Sequence, residues 1–163
     1  MRVPQVSRRV DGVVIDVDGV LTDGTFWWGP NGEEWKRFSF ADVMGISLGR
    51  KAGLVFGLIS GEASPLVDRF AAKMSIEEVH KGCKDKAAAL RLFSERQGIP
   101  LDRICFMGDD VNDLSAIAIA GMSAAPANAQ RTVLVAVSVT LAHNGGNGAV
   151  RELIDLILSV RSE

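Results

Sequence analysis

The sequence contains no tyrosine, two histidines and two cysteines in 163 residues. Two cysteines are too few for a disulfide framework, and Cys105 lies inside the apolar run Ile104-Cys105-Phe106-Met107, so it reads as a buried free thiol. Dense basic runs are absent too. Eighteen Lys plus Arg stand against twenty Asp plus Glu, a net charge of −2 with a pI near 5.7, which offers no cationic stripe to a phosphate backbone and makes nucleic acid an unexpected partner. No segment reaches the ~18 apolar residues that span a bilayer, and residues 1–12 carry basic groups without the apolar stretch of a signal peptide. No membrane partner and a cytoplasmic location are therefore expected. Internal repeats and low-complexity linkers are also missing, and at ~150 residues per domain the span 1–163 is expected to be one domain.

What is present is ordinary for a folded chain: 47% hydrophobic and 23% charged residues. Short apolar runs recur, each ending in polar or glycine-rich turns: Gly12 to Ile15, Leu54 to Ile59, Arg103 to Met107, Gly121 to Ala125 and Val135 to Leu141, with a brief Glu77 to His80 as a further strand. Helical spacing separates most of them. Pro65 opens one helix, Asp85 to Gln97 reads as another with Gly98 as its stop, and Val150 to Val160 places Val150, Leu153, Ile154, Ile157 and Leu158 on one face. Alternating strands and helices predict an α/β fold, a Rossmann-like doubly wound parallel sheet with helices on both faces.

One segment breaks the alternation. Residues 24–38 form two aromatic-rich runs joined by Gly29-Pro30-Asn31-Gly32, which predicts a projecting β-hairpin carrying all three tryptophans, Trp27, Trp28 and Trp35. Three indoles on such an element exceed what a core of this size can cover, so a surface awaiting a partner chain is expected.

The polar clusters fall at strand ends, where open parallel sheets place their ligand crevice. Asp16 and Asp18, one residue apart and followed by Gly19, can converge on one site as metal ligands, nucleophile or acid and base. Ser60 and Gly61 offer a hydroxyl and an N–H to an anionic oxygen. Lys86, by itself an ordinary surface lysine, sits in the first turn of the 85–97 helix. The run Gly108-Asp109-Asp110-Val111-Asn112-Asp113 crowds three carboxylates into five residues, a cost that a hard cation such as Mg²⁺ would offset.

Taken jointly, Asp-x-Asp, then Ser, then Lys, then Gly-Asp-Asp-x-x-Asp resembles the haloacid dehalogenase superfamily over nearly the whole chain. The run Asp16 to Gly24, the hairpin with Asn31-Gly32-Glu33-Glu34, Asp42 with Gly45-Ile46, and Gly145 to Glu152 are similar to the 3-deoxy-D-manno-octulosonate 8-phosphate phosphatase family, which includes phosphatases of nine-carbon sugar acids. That resemblance implies a capless, Mg²⁺-dependent phosphomonoesterase, a homotetramer joined through its hairpins with each site roofed by a neighbour. It implies Asp16 as nucleophile, Asp18 as acid and base, Mg²⁺ on Asp16, Asp18 and Asp109, phosphoryl oxygens on Ser60, Gly61 and Lys86, and sugar contacts from Asp42, Glu62 and Lys73. Asp110, Asn112 and Asp113 are expected to orient Asp109 or pair with Lys86.

The chain departs from the octulosonate pattern where substrate arginines are usual: Glu62 follows Gly61, Ser47 and Phe70 stand at two further positions, and Asp42-Val43-Met44-Gly45 replaces Asp-Gly-x-Gly. Glu62 with Lys73, and Gly45-Ile46-Ser47-Leu48, look more like the nine-carbon branch. Glu62 would accept from sugar hydroxyls and Lys73 would answer the acid group; otherwise the two form a surface ion pair. Two rival readings fit less well. A response-regulator receiver requires its phosphorylated Asp in mid-chain. A non-catalytic tetramerisation module of the kind fused to sugar-acid activating synthetases has no need of Asp18, nor of eleven residues ahead of the first strand.

Overall fold

The computed structural model describes residues 9–161, so the expectation about a leader falls largely on residues 1–8, outside the described part. In chain order the elements are β1 (Gly12–Ile15), β2 (Trp27–Trp28), β3 (Glu34–Trp35), α1 (Phe40–Lys51), β4 (Val55–Ile59), α2 (Pro65–Met74), β5 (Glu78–His80) and α3 (Lys86–Gln97). Then follow β6 (Ile104–Met107), α4 (Leu114–Ile119), β7 (Met122–Ala125), α5 (Arg131–Leu134), β8 (Val139–Thr140) and α6 (Ala149–Arg161). Six strands pair in parallel in the order β5-β4-β1-β6-β7-β8, and β2 with β3 forms a separate antiparallel pair. This is the expected Rossmann-like sheet, and no cap domain interrupts it: between Asp16 and Ser60 stand the hairpin and α1.

Every residue of β1 is buried because the sheet is covered on both faces. Val13 and Ile15 point into one apolar cluster with Ile46, Phe70 and Leu153 from α1, α2 and α6. Val14, one step along the pleat, joins Leu90 and Phe93 of α3 and Ile117 of α4 on the other face. Local chemistry sets the helix ends. The Ser64 hydroxyl accepts from the Leu66 N–H ahead of Pro65, and the Asp85 carboxylate accepts from Ala88 N–H at 2.9 Å, opening α3, which closes on Gly98 at φ +64°.

The run 135–141 and helix α1 differ from the sequence expectation, and the short helices α4 and α5 were not read from it either. The run 135–141 is a strand only at Val139–Thr140; Val135 caps α5 and is 78% exposed. A strand would put Val133, Val135 and Val137 on one face, whereas the helical turn, with Val137 N–H donating to Val133 C=O at 3.0 Å, buries Val133, half-buries Val137 and turns Val135 outward. Helix α1 went unpredicted because Gly45 and Gly49 weaken its propensity. Both are there for close packing: a Cβ on Gly45 would lie 2.8 Å from Arg151 Cα, and one on Gly49 2.8 Å from the Phe56 ring. Among the described residues no helix is long and apolar enough to cross a membrane.

Candidate active site

Strand β1 has β4 on one side and β6 on the other, so connections leave it in both directions and the sheet order reverses there. Asp16 follows β1, Ser60 follows β4 and Asp109 comes two residues after β6. Register alone therefore gathers these three strand ends at one edge.

After Asp16 the chain makes a tight irregular turn, Val17–Leu21, with Gly19 at φ +86° and Thr22 N–H returning to Val17 C=O at 3.2 Å. The Thr22 hydroxyl accepts from the N–H groups of Gly19 and Gly24, both at 3.2 Å. Gly19 is required twice over: its φ suits glycine, and a Cβ there would collide with the Asp109 carboxylate. From below, Gly146 N–H donates to Val20 C=O at 2.9 Å.

The charged centre is buried. Asp16 Oδ1 accepts from Val17 N–H at 2.8 Å and lies 3.1 Å from Lys86 Nζ, which also meets Asp113 Oδ1 at 2.6 Å. Asp113 Oδ2 in turn accepts from the N–H groups of Asp109 at 2.9 Å and Asp110 at 3.2 Å. Asp113 thus does both jobs expected of that trio, pairing with Lys86 and fixing the loop that carries Asp109. Lys86, a surface type by composition, has no exposed surface. Burial works against its charge, but the pull of Asp16 and Asp113 outweighs that and raises its pKa.

One ammonium does not balance the carboxylates. Burial first, then the charges of Asp113 and Asp109 against the opposing pull of Lys86, hold Asp16 well above the usual carboxylate range. Burial, with Asp113 and Asp110 beside it, pushes Asp109 up to about 7. Carboxylate oxygens of Asp16, Asp109 and Asp113 lie within 4.8 Å of one another. An all-oxygen donor set short of positive charge fits a hard divalent cation; both Asp113 oxygens are committed to Lys86 and the loop amides, whereas Asp16 is engaged through Oδ1, leaving Asp16 Oδ2 and the Asp109 carboxylate as the donors.

Above this centre is a cleft of about 210 Å³ whose lining includes Asp16, Asp18, Gly61, Glu62, Asp109 and Asn112. Ser60 is buried beneath it, its hydroxyl accepting from Glu62 N–H at 3.2 Å. Of the expected site residues, two lie elsewhere. Lys73 stands in the last turn of α2, about 12 Å of helix rise beyond Pro65, with Nζ 5.7 Å from the centroid of the Phe40 ring. It lines a separate cavity of about 550 Å³ with Lys36, Arg69 and Phe70, and no ion pair joins it to Glu62. Asp42, expected at the sugar, is outside the lining of this cleft. It is 1% exposed, and its carboxylate accepts from Gly148 N–H at 3.4 Å and Arg151 N–H at 3.0 Å, closing the start of α6. Burial raises its pKa against those amide bonds. Sequence reading also passed over Lys36, whose Nζ is 2.6 Å from Asp18 Oδ1; nothing in its local sequence separates it from a surface lysine.

The hairpin strands are two residues each, with Trp27 opposite Trp35. Phe26, Trp27, Trp28 and Trp35 are between 50% and 72% exposed.

The family model for haloacid dehalogenase-like hydrolase matches residues 61–153. A 3-deoxy-D-manno-octulosonate 8-phosphate phosphatase of Haemophilus influenzae is 36% identical over 159 residues, 98% of this chain and 88% of its own. The enzyme of the same name from Escherichia coli K12 is 33% identical over 152 residues, 93% of this chain and 81% of its own. Among solved structures, the cobalt-bound Haemophilus influenzae phosphatase superposes with a TM-score of 0.92 at 36% identity, covering 94% of this chain and 90% of that one. The Moraxella catarrhalis phosphatase, in complex with magnesium, phosphate and KDO, gives a TM-score of 0.89 at 33% identity over 92% of this chain and 86% of its own.

Proposed function

Since the chain belongs to the haloacid dehalogenase-like hydrolases and, within them, to the 3-deoxy-D-manno-octulosonate 8-phosphate phosphatase family, and is therefore a phosphatase, we propose that this one domain hydrolyses the phosphate monoester of a 2-keto-3-deoxy sugar acid, with octulosonate 8-phosphate the first substrate to try. The observation that carries the reading is the meeting of Asp16, Asp109 and the Lys86–Asp113 pair beneath a cleft that Asp18 also lines.

Asp16 attacks phosphorus in line and takes up the phosphoryl group as an aspartyl-phosphate. Asp18 gives a proton to the leaving sugar oxygen and then takes one from the water that hydrolyses the acyl phosphate. Ser60 and Gly61 hold phosphoryl oxygens beside the Lys86 ammonium. Mg²⁺ would be held by the Asp16 carboxylate, the Asp18 backbone carbonyl and Asp109. When bound, it offsets the repulsion between an anionic nucleophile and an anionic ester.

Assembly belongs to the same reading: four exposed aromatic side chains on the hairpin support a homotetramer. A second substrate, the nine-carbon nononate 9-phosphate, is favoured by one observation, the carboxylate of Glu62 at the cleft wall where octulosonate enzymes carry arginine. Phosphate release from both sugar acid phosphates, with Mg²⁺ and with chelator, tests the reading. Mg²⁺-dependent release from either is expected, and none from both would overturn it.

A further inference from the structure

Lys36 comes immediately after β3, and its side chain is 2% exposed. An ammonium so buried needs carboxylates against it. It has two: Asp18 Oδ1 at 2.6 Å and Glu34 Oε1 at 3.7 Å. Glu34 is itself held, accepting from the Ser64 hydroxyl at 3.2 Å and the Trp28 indole N–H at 3.4 Å, so Lys36 is wedged between the hairpin and the start of α2. On the other side the Asp18 side chain is 33% exposed and lines the cleft. The turn around it is closed by Thr22 and by the backbone, and among the described residues Lys36 alone donates to the Asp18 carboxylate. Without Lys36, a side chain with two rotatable bonds at the mouth of an open cleft has nothing to keep it turned inward.

We propose that Lys36 is a positioning residue: it holds the Asp18 carboxylate at the cleft mouth, within reach of the leaving oxygen, and so ties proton transfer to the seating of the hairpin. A proton-transfer group has to lie within about 2.6–3.2 Å of its target, and misplacement by about 1 Å can cost ~10²-fold. The proposal rests on the role given to Asp18 above. Its signature differs from that of a staple, because a lost staple slows all substrates alike, while a misplaced acid slows those whose leaving group needs the proton.

The test uses the full chain with Mg²⁺ and compares kcat/KM for phenyl phosphate, a poor leaving group, with that for 4-nitrophenyl phosphate, a good one. Lys36→Gln is expected to lower the first by roughly 10²-fold and the second several-fold less, with Lys36→Arg restoring most of the loss. Added to Asp18→Asn, Lys36→Gln should change neither value further. Equal losses on both esters, no loss on either, or additive losses in the Asp18→Asn background would overturn the proposal. If Lys36→Gln does not fold, Lys36→Met, which keeps the apolar stem, is read the same way; failure of both to fold assigns Lys36 to stapling and overturns it as well. Asp18→Asn alone reports on the premise, and a wild-type chain that cleaves aryl phosphates but no sugar acid phosphate sinks the substrate reading while leaving the Lys36 comparison legible.

Discussion

At the ends of β1 and β6 the protein buries charge and answers it from within. Asp16, Asp113 and Lys86 are 4%, 0% and 0% exposed, and each has a partner from another part of the chain. The hairpin does the reverse, leaving Trp27, Trp28 and Trp35 more than half exposed among the described residues. Buried charge is tolerated only when fixed partners are built around it, and in the cleft Lys86 and Asp113 are those partners. Exposed indoles cost little until a second surface arrives, and in the assembly proposed above the hairpin is what association would cover. The two regions should accordingly fail in different ways: the cleft by loss of chemistry or of fold, the hairpin by loss of assembly.

The comparison breaks most sharply at Asp16. Asp16→Asn should lower phosphate release by about 10⁴-fold or more with an unchanged circular dichroism spectrum, because an amide cannot serve as the nucleophile. Near-native turnover would move the nucleophile elsewhere. Next comes Asp113→Ala, which leaves the buried Lys86 with Asp16 alone and should cost about 3–5 kcal/mol in denaturant unfolding. A loss under 1 kcal/mol would mean that the pair is not what holds the cluster. By contrast, Trp27→Ser should leave single-chain stability within about 1 kcal/mol while light scattering reports a fall from about four times 17.4 kDa toward the monomer. Unchanged mass would place the contact elsewhere.

Acid should act on the cleft through Asp109. Asp109, pushed up to about 7, binds a proton in the folded chain that the unfolded chain releases near its ordinary value. The sign follows directly. Without metal, this group favours the fold below about pH 4, and that contribution is lost as pH rises through about 7. Protons compete with a cation for this carboxylate and for that of Asp16, so Mg²⁺ affinity measured by calorimetry should rise as pH is raised from 5 to 8. A flat profile between pH 5 and 8 would contradict the shift. The smallest effect expected is on specificity: Glu62→Arg should move the ratio of kcat/KM between nine- and eight-carbon substrates a few-fold toward the octulosonate, leaving nitrophenyl phosphate unaffected.

Much of this was legible locally. Strand-end carboxylates, the Gly19 turn, the α3 cap at Asp85 and the aromatic hairpin are all set by neighbours a few residues apart, and periodicity and turn chemistry report on such neighbours. The same kind of reading misjudged Val135, whose apolar run fits a strand and a helical turn equally until Val133 and Val137 find the same cluster. It missed α1, since the propensity cost of Gly45 and Gly49 is visible in sequence and the surfaces that require them are not.

By itself, then, the sequence determined the alternation of strands and helices, the parallel sheet and the strand-end chemistry, because these follow from contacts near in chain order and from residue type. Only the tertiary structure decided which polar side chains are buried and what they serve. Asp42 closes a helix 109 residues away, Lys86 is sunk between Asp16 and an aspartate 27 residues on, and Lys36 reaches back 18 residues to Asp18. The free energy of a buried charge depends on what the fold brings beside it, and residue type alone does not specify that.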